Sequence, residues 1–266
     1  MLNQLKESEL KEFARSIELV ASRFIEGSHR SFRSGSGQEY QEHLSYSEGE
    51  DAKLIDWKRW AASDRLLVRR YQERKKSSWG ILLDQSESLS FGQKAPFIKL
   101  MVGSFIYIVN VLGDQWRLDG SSAVGLQEVF AALFSEKFSG PSLINSSMEA
   151  GLDQRLIVVS DFFEDEVAID RKLRDWQADF KSVTLLQVLD SDEIRFPFES
   201  MTEFKDLESK SKLVLDPKVM RKKYLQILEN HQKHLISSLN EENLFMTIEA
   251  NTDTIFKTLE ELFERL

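Results

Sequence analysis

The chain has 266 residues, and 41% of them are hydrophobic, which suffices for one large domain or for one domain with an extension. It contains no cysteine, which excludes disulfides, thiolate zinc sites and cysteine nucleophiles. A formal net charge of −9 argues against nucleic acid as the main partner.

The N-terminal segment favours a cytoplasmic location. Residues 1–9 lack the apolar core of a signal peptide. The longest apolar stretch, Ala95 to Leu112, contains Lys99, Ser104 and Asn110, and it is too short and too polar to predict a membrane span. We therefore expect a cytoplasmic protein with no membrane insertion.

The first 76 residues predict a helix followed by loops and extended segments. Apolar residues recur at helical spacing between residues 4 and 25, which is typical of an amphipathic helix. A loop rich in Gly, Ser and Arg follows at 26–38, and extended segments follow around 39–47 and 66–72. We expect a boundary here, with an N-terminal helix and extended segment at 1–76 and the main domain at 77–266.

Short apolar runs alternate with helices from Trp79 onward. Residues 97–112 are apolar nearly all round and predict a helix buried under a sheet, and Asp216 followed by Pro217 predicts the start of a long helix. Further helices are predicted at 171–180 and 255–266. The predicted strands are Ile81–Leu83, Trp116–Leu118, Leu156–Val159, Val183–Leu189 and Leu244–Ile248. This alternation is typical of a Rossmann-like α/β fold with a mainly parallel central sheet.

Polar residues stand where the central strands stop. Ile81–Leu83 runs into Asp84, which Ser86 and Ser88 follow, and Leu156–Val159 runs into Ser160-Asp161. Ligands of open α/β sheets bind outside the carboxyl ends of the strands, so we expect Asp84 and Asp161 at one edge. Oxygen ligands of this kind suit Mg²⁺ better than zinc or copper. Helix capping is the alternative for the same Asp and Ser side chains.

The segment Asp84-x-Ser86-x-Ser88 after a buried strand resembles the metal-ion-dependent adhesion site (MIDAS) of von Willebrand factor type A domains. Those domains add a Thr from a second loop and an Asp from a third. Ser160-Asp161-Phe162 resembles the third loop, and Ser139-Gly140-Pro141-Ser142-Leu143 is the best match to the second, with Ser142 in place of Thr.

The resemblance implies a bound Mg²⁺ or Mn²⁺ with one open position. The hydroxyls of Ser86, Ser88 and Ser142 would bind the ion, and Asp84 and Asp161 would neutralise its charge directly or through water. The open position would accept a carboxylate from a partner protein. The implied ligand set is therefore Asp84, Ser86, Ser88, Ser142 and Asp161.

The flanking segments resemble the bacterial domain-of-unknown-function-58 family, in which a type A domain follows such an N-terminal part. The segments that carry this resemblance are His29-Arg30-Ser31, residues 35–40, Gly49–Trp57, Val68-Arg69-Arg70-Tyr71, Asp216-Pro217, Tyr224, His231 and the final helix. The usual Gly-Asp-Asp-x-Arg of the family is Gly49-Glu50-Asp51-Ala52-Lys53 here. Within this segment we expect Ile55 and Trp57 to pack inward and Asp56 to form local hydrogen bonds.

This family resemblance implies a cation-dependent interaction module, associated with a MoxR-type AAA+ ATPase and without an established catalytic activity. Two alternatives stay open, namely a metal-dependent hydrolase that uses the same acidic edge and a structural adaptor whose metal site is unused. The sequence contains neither a Gly-x-Ser-x-Gly elbow nor a Walker A loop. His231 and His234 lie three residues apart on the predicted long helix, where packing or surface roles are expected rather than zinc binding.

Overall fold

The computed structural model describes residues 2–27, 38–47, 55–57, 59–60, 65–73, 76–118, 125–149, 151–205 and 212–266. The chain divides into two compact units, one formed by residues 1–24 and 77–266 and the other by residues 25–76. The first helix, α1 (Leu2–Gly27), begins the larger unit.

The smaller unit contains a two-stranded antiparallel ribbon. Strand β1 (Gln38–Ser45) pairs with β2 (Leu67–Glu73), so the extended segments predicted around 39–47 and 66–72 are confirmed. The predicted motif segments at 29–31, at 35–37 and at 49–54 lie outside the described residues.

The inward packing predicted for the segment around Trp57 is confirmed for Ile55 and wrong for Trp57. Ile55 and Asp56 are buried, and the Asp56 side chain accepts a hydrogen bond from Arg59 N at 3.2 Å. Trp57 is 55% exposed. Its ring lies edge-on to that of Trp60, with 5.9 Å between the centroids, because Asp56 starts a helical turn from which both rings project outward.

The larger unit is built on five parallel strands in the spatial order β4-β3-β5-β6-β9. In chain order the elements of this unit after α1 are β3 (Ser78–Leu83), α2 (Lys94–Val111), β4 (Gln115–Leu118), α3 (Leu126–Ser135), β5 (Gly151–Ser160), α4 (Glu166–Asp179), β6 (Phe180–Leu189), α5 (Ser191–Arg195), β7 (Thr202–Lys205), β8 (Lys212–Leu215), α6 (Pro217–Ser237), β9 (Leu244–Glu249) and α7 (Ile255–Arg265). All five predicted strands are present, and the predicted α/β fold class, with a parallel central sheet flanked by helices, is confirmed.

Burial on both faces explains why the central strands read as continuous apolar runs. Residues 183–189 of β6 and 81–83 of β3 are buried throughout. Helix α2 is apolar nearly all round because it lies in the core. In the part of the chain that the structure describes, α2 is also the helix that is long and apolar enough to cross a membrane by length and composition, and 61% of it is buried inside the protein.

Helix α1 packs on α2 and α7. A Cβ added at Gly103 of α2 would lie 2.5 Å from Ile17 Cδ1, so the glycine lets the two helices approach closely. The ring of Phe24 lies 5.0 Å from that of Phe263 on α7. The helix therefore contacts residues 77–266, although the predicted boundary groups it with the extended segment. The division at 76/77 as a functional boundary stays a prediction.

The helix ends follow their capping residues. Asp216 caps α6 by accepting a hydrogen bond from Lys218 N, and Pro217 is the first helical residue, as predicted. Helix α4 begins at Glu166 rather than at the predicted residue 171, because the Asp165 side chain accepts from the backbone N–H groups of the first turn. The short helix α5, helix α3 and the β7–β8 hairpin were not predicted, since their apolar runs are brief.

Candidate functional site

The carboxyl ends of β3 and β5 lie at the point where the order of the sheet reverses. Strand β3 has β4 on one side and β5 on the other, and crevices at such points are where open α/β sheets bind ligands. Asp84 follows β3 and Asp161 follows β5. The backbone N–H of Asp84 donates to Val159 O at 3.0 Å, so the two strand ends are joined directly.

The first loop gathers three of the predicted ligands. Asp84 Oδ1 accepts from Ser86 N at 2.9 Å, and Asp84 Oδ2 accepts from Ser160 Oγ at 2.6 Å. The hydroxyl oxygens of Ser86 and Ser88 lie 2.9 Å apart. Burial raises the pKa of Asp84, and the hydrogen bonds from Ser160 and Ser86 partly offset this. Asp84, Ser86 and Ser88 therefore form one cluster, and Ser160 belongs to it as a support for Asp84.

The second loop lies directly against the first. Gly140 N donates to Gln85 O at 2.9 Å, and a Cβ added at Gly140 would lie 2.6 Å from Gln85 Oε1. Ser142 follows two residues later, where a short 3₁₀ turn begins, and its hydroxyl accepts from Asn145 Nδ2 at 3.4 Å. The loop is therefore at the predicted edge, and the role of Ser142 as a metal ligand stays a prediction.

Asp161 in the third loop pairs with a lysine side chain, a contact that the sequence did not predict. Asp161 is 2% exposed, and its Oδ2 accepts from the Lys94 ammonium group at 2.9 Å. The same ammonium group donates to Glu193 Oε1, also at 2.9 Å. Burial acts to lower the pKa of Lys94, but the carboxylates of Asp161 and Glu193 outweigh it and raise the pKa above its usual value. Lys94, Asp161 and Glu193 thus form a buried ion-pair cluster beside the first loop.

A capping box after β6 fixes Glu193. The side chain of Asp190 caps α5, and Glu193 Oε2 accepts from Asp190 N at 2.7 Å. Asp190 Oδ2 also accepts from Gln93 N at 2.8 Å, which ties α5 to the start of α2. Asp190 directly follows β6, and its capping role explains why a polar residue stands at this strand end. The signal for Lys94 was weak, namely a lysine at the first position of an apolar helix.

Helix α6 and the sheet interior hold the backbone of the third loop. His231 Nε2 lies 2.7 Å from Phe162 O, and Gln187 Nε2 donates to Asp161 O at 3.0 Å. Gln187 is fully buried and its Oε1 accepts from Gln232 Nε2 at 2.8 Å. Phe162 has φ +58° with a fully buried ring. Two contacts to the main chain thus position the loop that carries Asp161.

The hydroxyl pair of the first loop fits Mg²⁺. Within the described ranges, no three His, Cys, Asp or Glu side chains converge in metal-binding geometry, so an ion here would depend on hydroxyl ligands. Neighbouring ligands of an octahedral Mg²⁺ with Mg–O distances near 2.0–2.1 Å lie about 2.9 Å apart, whereas Ca²⁺ places them roughly 3.3–3.7 Å apart. The hydroxyls of Ser86 and Ser88 are hydrogen-bonded to each other at 2.9 Å, and the same separation is compatible with neighbouring ligands of Mg²⁺.

A groove adjoins the third loop. It has a volume of about 420 Å³ and lies between this loop and α6, where its lining includes Phe163, Glu164, Tyr224, Ile227 and His231. Phe163 is 47% exposed and Ile227 is 57% exposed. The groove therefore presents apolar surface within two residues of Asp161.

Comparison with known proteins supports the family resemblance. Residues 42–113 match the model of the family described as "Protein of unknown function DUF58", which confirms the predicted resemblance and spans β1 to α2. No curated protein matches the chain.

Two solved structures match the chain at low similarity. An aerotolerance-related membrane protein from Bacteroides fragilis NCTC 9343, with multiple mutations to serines, has 13% identity and a TM-score of 0.40, and the match covers 71% of this chain and 100% of that one. The conserved hypothetical protein BatB from Bacteroides thetaiotaomicron has 13% identity and a TM-score of 0.37, with 71% and 98% covered.

Proposed function

We propose that this DUF58-like chain is a non-enzymatic module that binds a partner protein through a divalent cation. The ion is Mg²⁺ or Mn²⁺, and its site is the MIDAS-like set of Asp84, Ser86, Ser88, Ser142 and Asp161. The observation that carries the proposal is the hydroxyl pair of Ser86 and Ser88, 2.9 Å apart, at the switch point of a parallel sheet.

The positions of the site residues support a separate role for each of them in binding the ion. Ser86 and Ser88 supply hydroxyl ligands, and Ser142 supplies a third from the loop that Gly140 holds against Gln85. Asp84 is held by Ser86 N and Ser160 Oγ, so it balances the charge of the ion from a fixed orientation. A bound Mg²⁺ keeps several exchangeable positions, and one of them accepts the carboxylate of a partner.

The carboxylates of Asp84 and Asp161 are placed to neutralise the charge of an ion rather than to remove a proton from a substrate. Both oxygens of Asp84 accept hydrogen bonds from the protein, and Asp161 pairs with a buried ammonium group. A general base must reach the proton that it removes, whereas these carboxylates are engaged by neighbouring donors. We therefore assign no catalytic residue, and the proposal favours binding over hydrolysis.

The proposed partner is a MoxR-type AAA+ ATPase that presents an acidic residue. The predicted family resemblance suggests this class of partner, and the exposed Phe163 and Ile227 beside the third loop offer apolar surface to it. The proposed location is cytoplasmic, without membrane insertion.

A thermal-shift experiment tests the cation site. Saturating Mg²⁺ or Mn²⁺ should raise the melting temperature of the wild type by roughly 5–10 °C, because a ligand at about 100 times its Kd stabilises the fold by about 2.7 kcal/mol. Asp84→Asn keeps an acceptor for Ser86 N but removes the charge, so the rise should disappear.

Ser90→Ala is the matched control for this experiment. Ser90 belongs to the same 3₁₀ turn as Ser88, but its hydroxyl donates to Glu87 O at 2.7 Å and is exposed. The variant should keep the full rise. An equal rise in Asp84→Asn and the wild type would place any bound ion elsewhere and refute the site.

A further inference from the structure

Lys94 combines two unfavourable features for a lysine. It is the first residue of the 18-residue helix α2, and its side chain has no exposed surface. A cation in the first turn opposes the helix dipole, and lysine is almost never fully buried unless it is paired. The salt bridges to Asp161 and Glu193, both 2.9 Å long, offset these costs at the edge where the cation site lies.

Hydrogen bonds around Lys94 fix the position of one of its two carboxylate partners, Glu193. Glu193 is held by Asp190 N, and Asp190 is held by Gln93 N. Removing one member of a buried charge pair leaves the other uncompensated, which is strongly destabilising. The salt bridge between the ammonium group and Asp161 Oδ2 is therefore costly to break.

The contact with Lys94 reduces the number of carboxylate oxygens with which Asp161 can bind an ion. Its Oδ2 accepts from Lys94, and among the described residues its Oδ1 accepts one long hydrogen bond of 3.4 Å, from Phe163 N. The carboxylates of Asp84, Asp161 and Glu193 together with the Lys94 ammonium group leave two formal negative charges. One divalent cation neutralises these charges, whereas without Lys94 the loaded site would stay negative and would repel an incoming carboxylate.

We propose that Lys94 is a positioning residue of the cation site that holds Asp161 Oδ2 away from the ion and offsets the negative charge of Asp161. It thereby preserves an open position and the positive charge that a partner's carboxylate needs. This inference rests on the proposed function and adds a lysine that works against metal affinity in favour of carboxylate binding.

The test measures Mn²⁺ affinity by titration calorimetry and then acetate binding to the Mn²⁺-loaded protein by water-proton relaxation. Lys94→Met should bind Mn²⁺ at least tenfold more tightly, because the repulsion between the ammonium group and the ion is removed. The same variant should lose most of its acetate binding, because the loaded site then keeps a negative charge that repels acetate. A purely structural lysine would weaken both kinds of binding together.

Lys99→Met is the matched control. Lys99 lies on the same helix, but its ammonium group donates to the carbonyl oxygens of Phe134 and Glu136, at 3.1 and 2.6 Å, and it contacts none of the acids of the site in the part of the chain that the structure describes. Its replacement should change neither Mn²⁺ nor acetate affinity.

Glu193→Gln keeps the test decisive if Lys94→Met does not fold. Removing one negative charge beside the ammonium group should weaken Mn²⁺ binding several-fold, the opposite direction to Lys94→Met. Equal Mn²⁺ and acetate affinities in Lys94→Met and the wild type, or unchanged or tighter Mn²⁺ binding in Glu193→Gln, would overturn the role of Lys94 alone. A wild type that binds no Mn²⁺ would instead overturn the proposed function itself.

Discussion

Gly92 is the single residue on which the geometry around Lys94 depends most closely. It has φ +56°, and a Cβ added there would lie 2.1 Å from Asp190 Oδ2. Asp190 uses this oxygen to accept the hydrogen bond from Gln93 N. A side chain at Gly92 would therefore force apart the start of α2 and the capping box of α5.

We expect Gly92→Ala to lower the free energy of unfolding by about 3 kcal/mol. Left-handed backbone costs an alanine roughly 1–2 kcal/mol, and the clash with Asp190 adds an overpacking cost of about 1–3 kcal/mol. Gly113→Ala is the matched control, because Gly113 has φ +78° with no heavy atom within 4 Å of an added Cβ. Urea denaturation should show a loss of only about 1 kcal/mol there, and equal losses would contradict the role of Asp190.

The residues of the site were predictable to different degrees. Asp84, Ser86 and Asp161 follow apolar runs that predict buried strands. Since open α/β sheets bind ligands outside the carboxyl ends of their strands, these residues could be located from the sequence. Lys94 and Glu193 are 99 residues apart and meet only through the packing of α2 on α5. A contact between residues so far apart in the chain cannot be predicted from the local sequence. The apolar character of Trp57 suggested that it is buried. Its ring instead packs against that of Trp60 on an exposed turn.

Among the elements, α6 does more than cover the sheet. Its two histidines lie one turn apart and serve different neighbours. His231 Nε2 contacts Phe162 O in the third loop, and His234 Nε2 contacts Asp170 Oδ1 on α4 at 2.9 Å. The helix therefore connects the loop of Asp161 to the body of the protein through one residue and packs on a neighbouring helix through the other.

We expect His231→Ala to weaken Mg²⁺ binding by about tenfold, in the range found for residues that orient metal ligands. The cause would be the loss of the contact to Phe162 O, after which Asp161 is held less firmly. His234→Ala should lower stability without changing Mg²⁺ affinity. Titration calorimetry beside thermal unfolding separates the two effects, and equal losses of Mg²⁺ affinity would show that α6 acts on the site only through general stability.

On the scale of the whole molecule, the match to the family model crosses the division between the two compact units. Residues 42–113 include most of the β1–β2 ribbon as well as the loop of Asp84, Ser86 and Ser88 and helix α2. The ribbon and the first loop of the proposed cation site therefore belong to one family pattern. A partner-binding test should accordingly use the full chain rather than residues 77–266 alone.

We expect the full chain to retain a purified MoxR-type AAA+ ATPase in a pull-down with Mg²⁺ and to release it with EDTA. Ser86→Ala combined with Ser88→Ala should abolish retention, because both hydroxyl ligands are lost. Ser90→Ala should retain the ATPase like the wild type. Equal recovery by the double variant and the wild type would place the interface elsewhere on the molecule.

The buried Gln187 has a consequence for how the protein is made. It joins the carbonyl group of Asp161 to Gln232 on α6 and to Thr247 on β9, whose hydroxyl donates to Gln187 Oε1 at 3.1 Å. Domains generally fold as units while the ribosome extends the chain from its N-terminus. The first loop is therefore synthesised early, but the hydrogen-bond network of Gln187 that holds the loop of Asp161 is complete only after residue 247 has emerged from the ribosome.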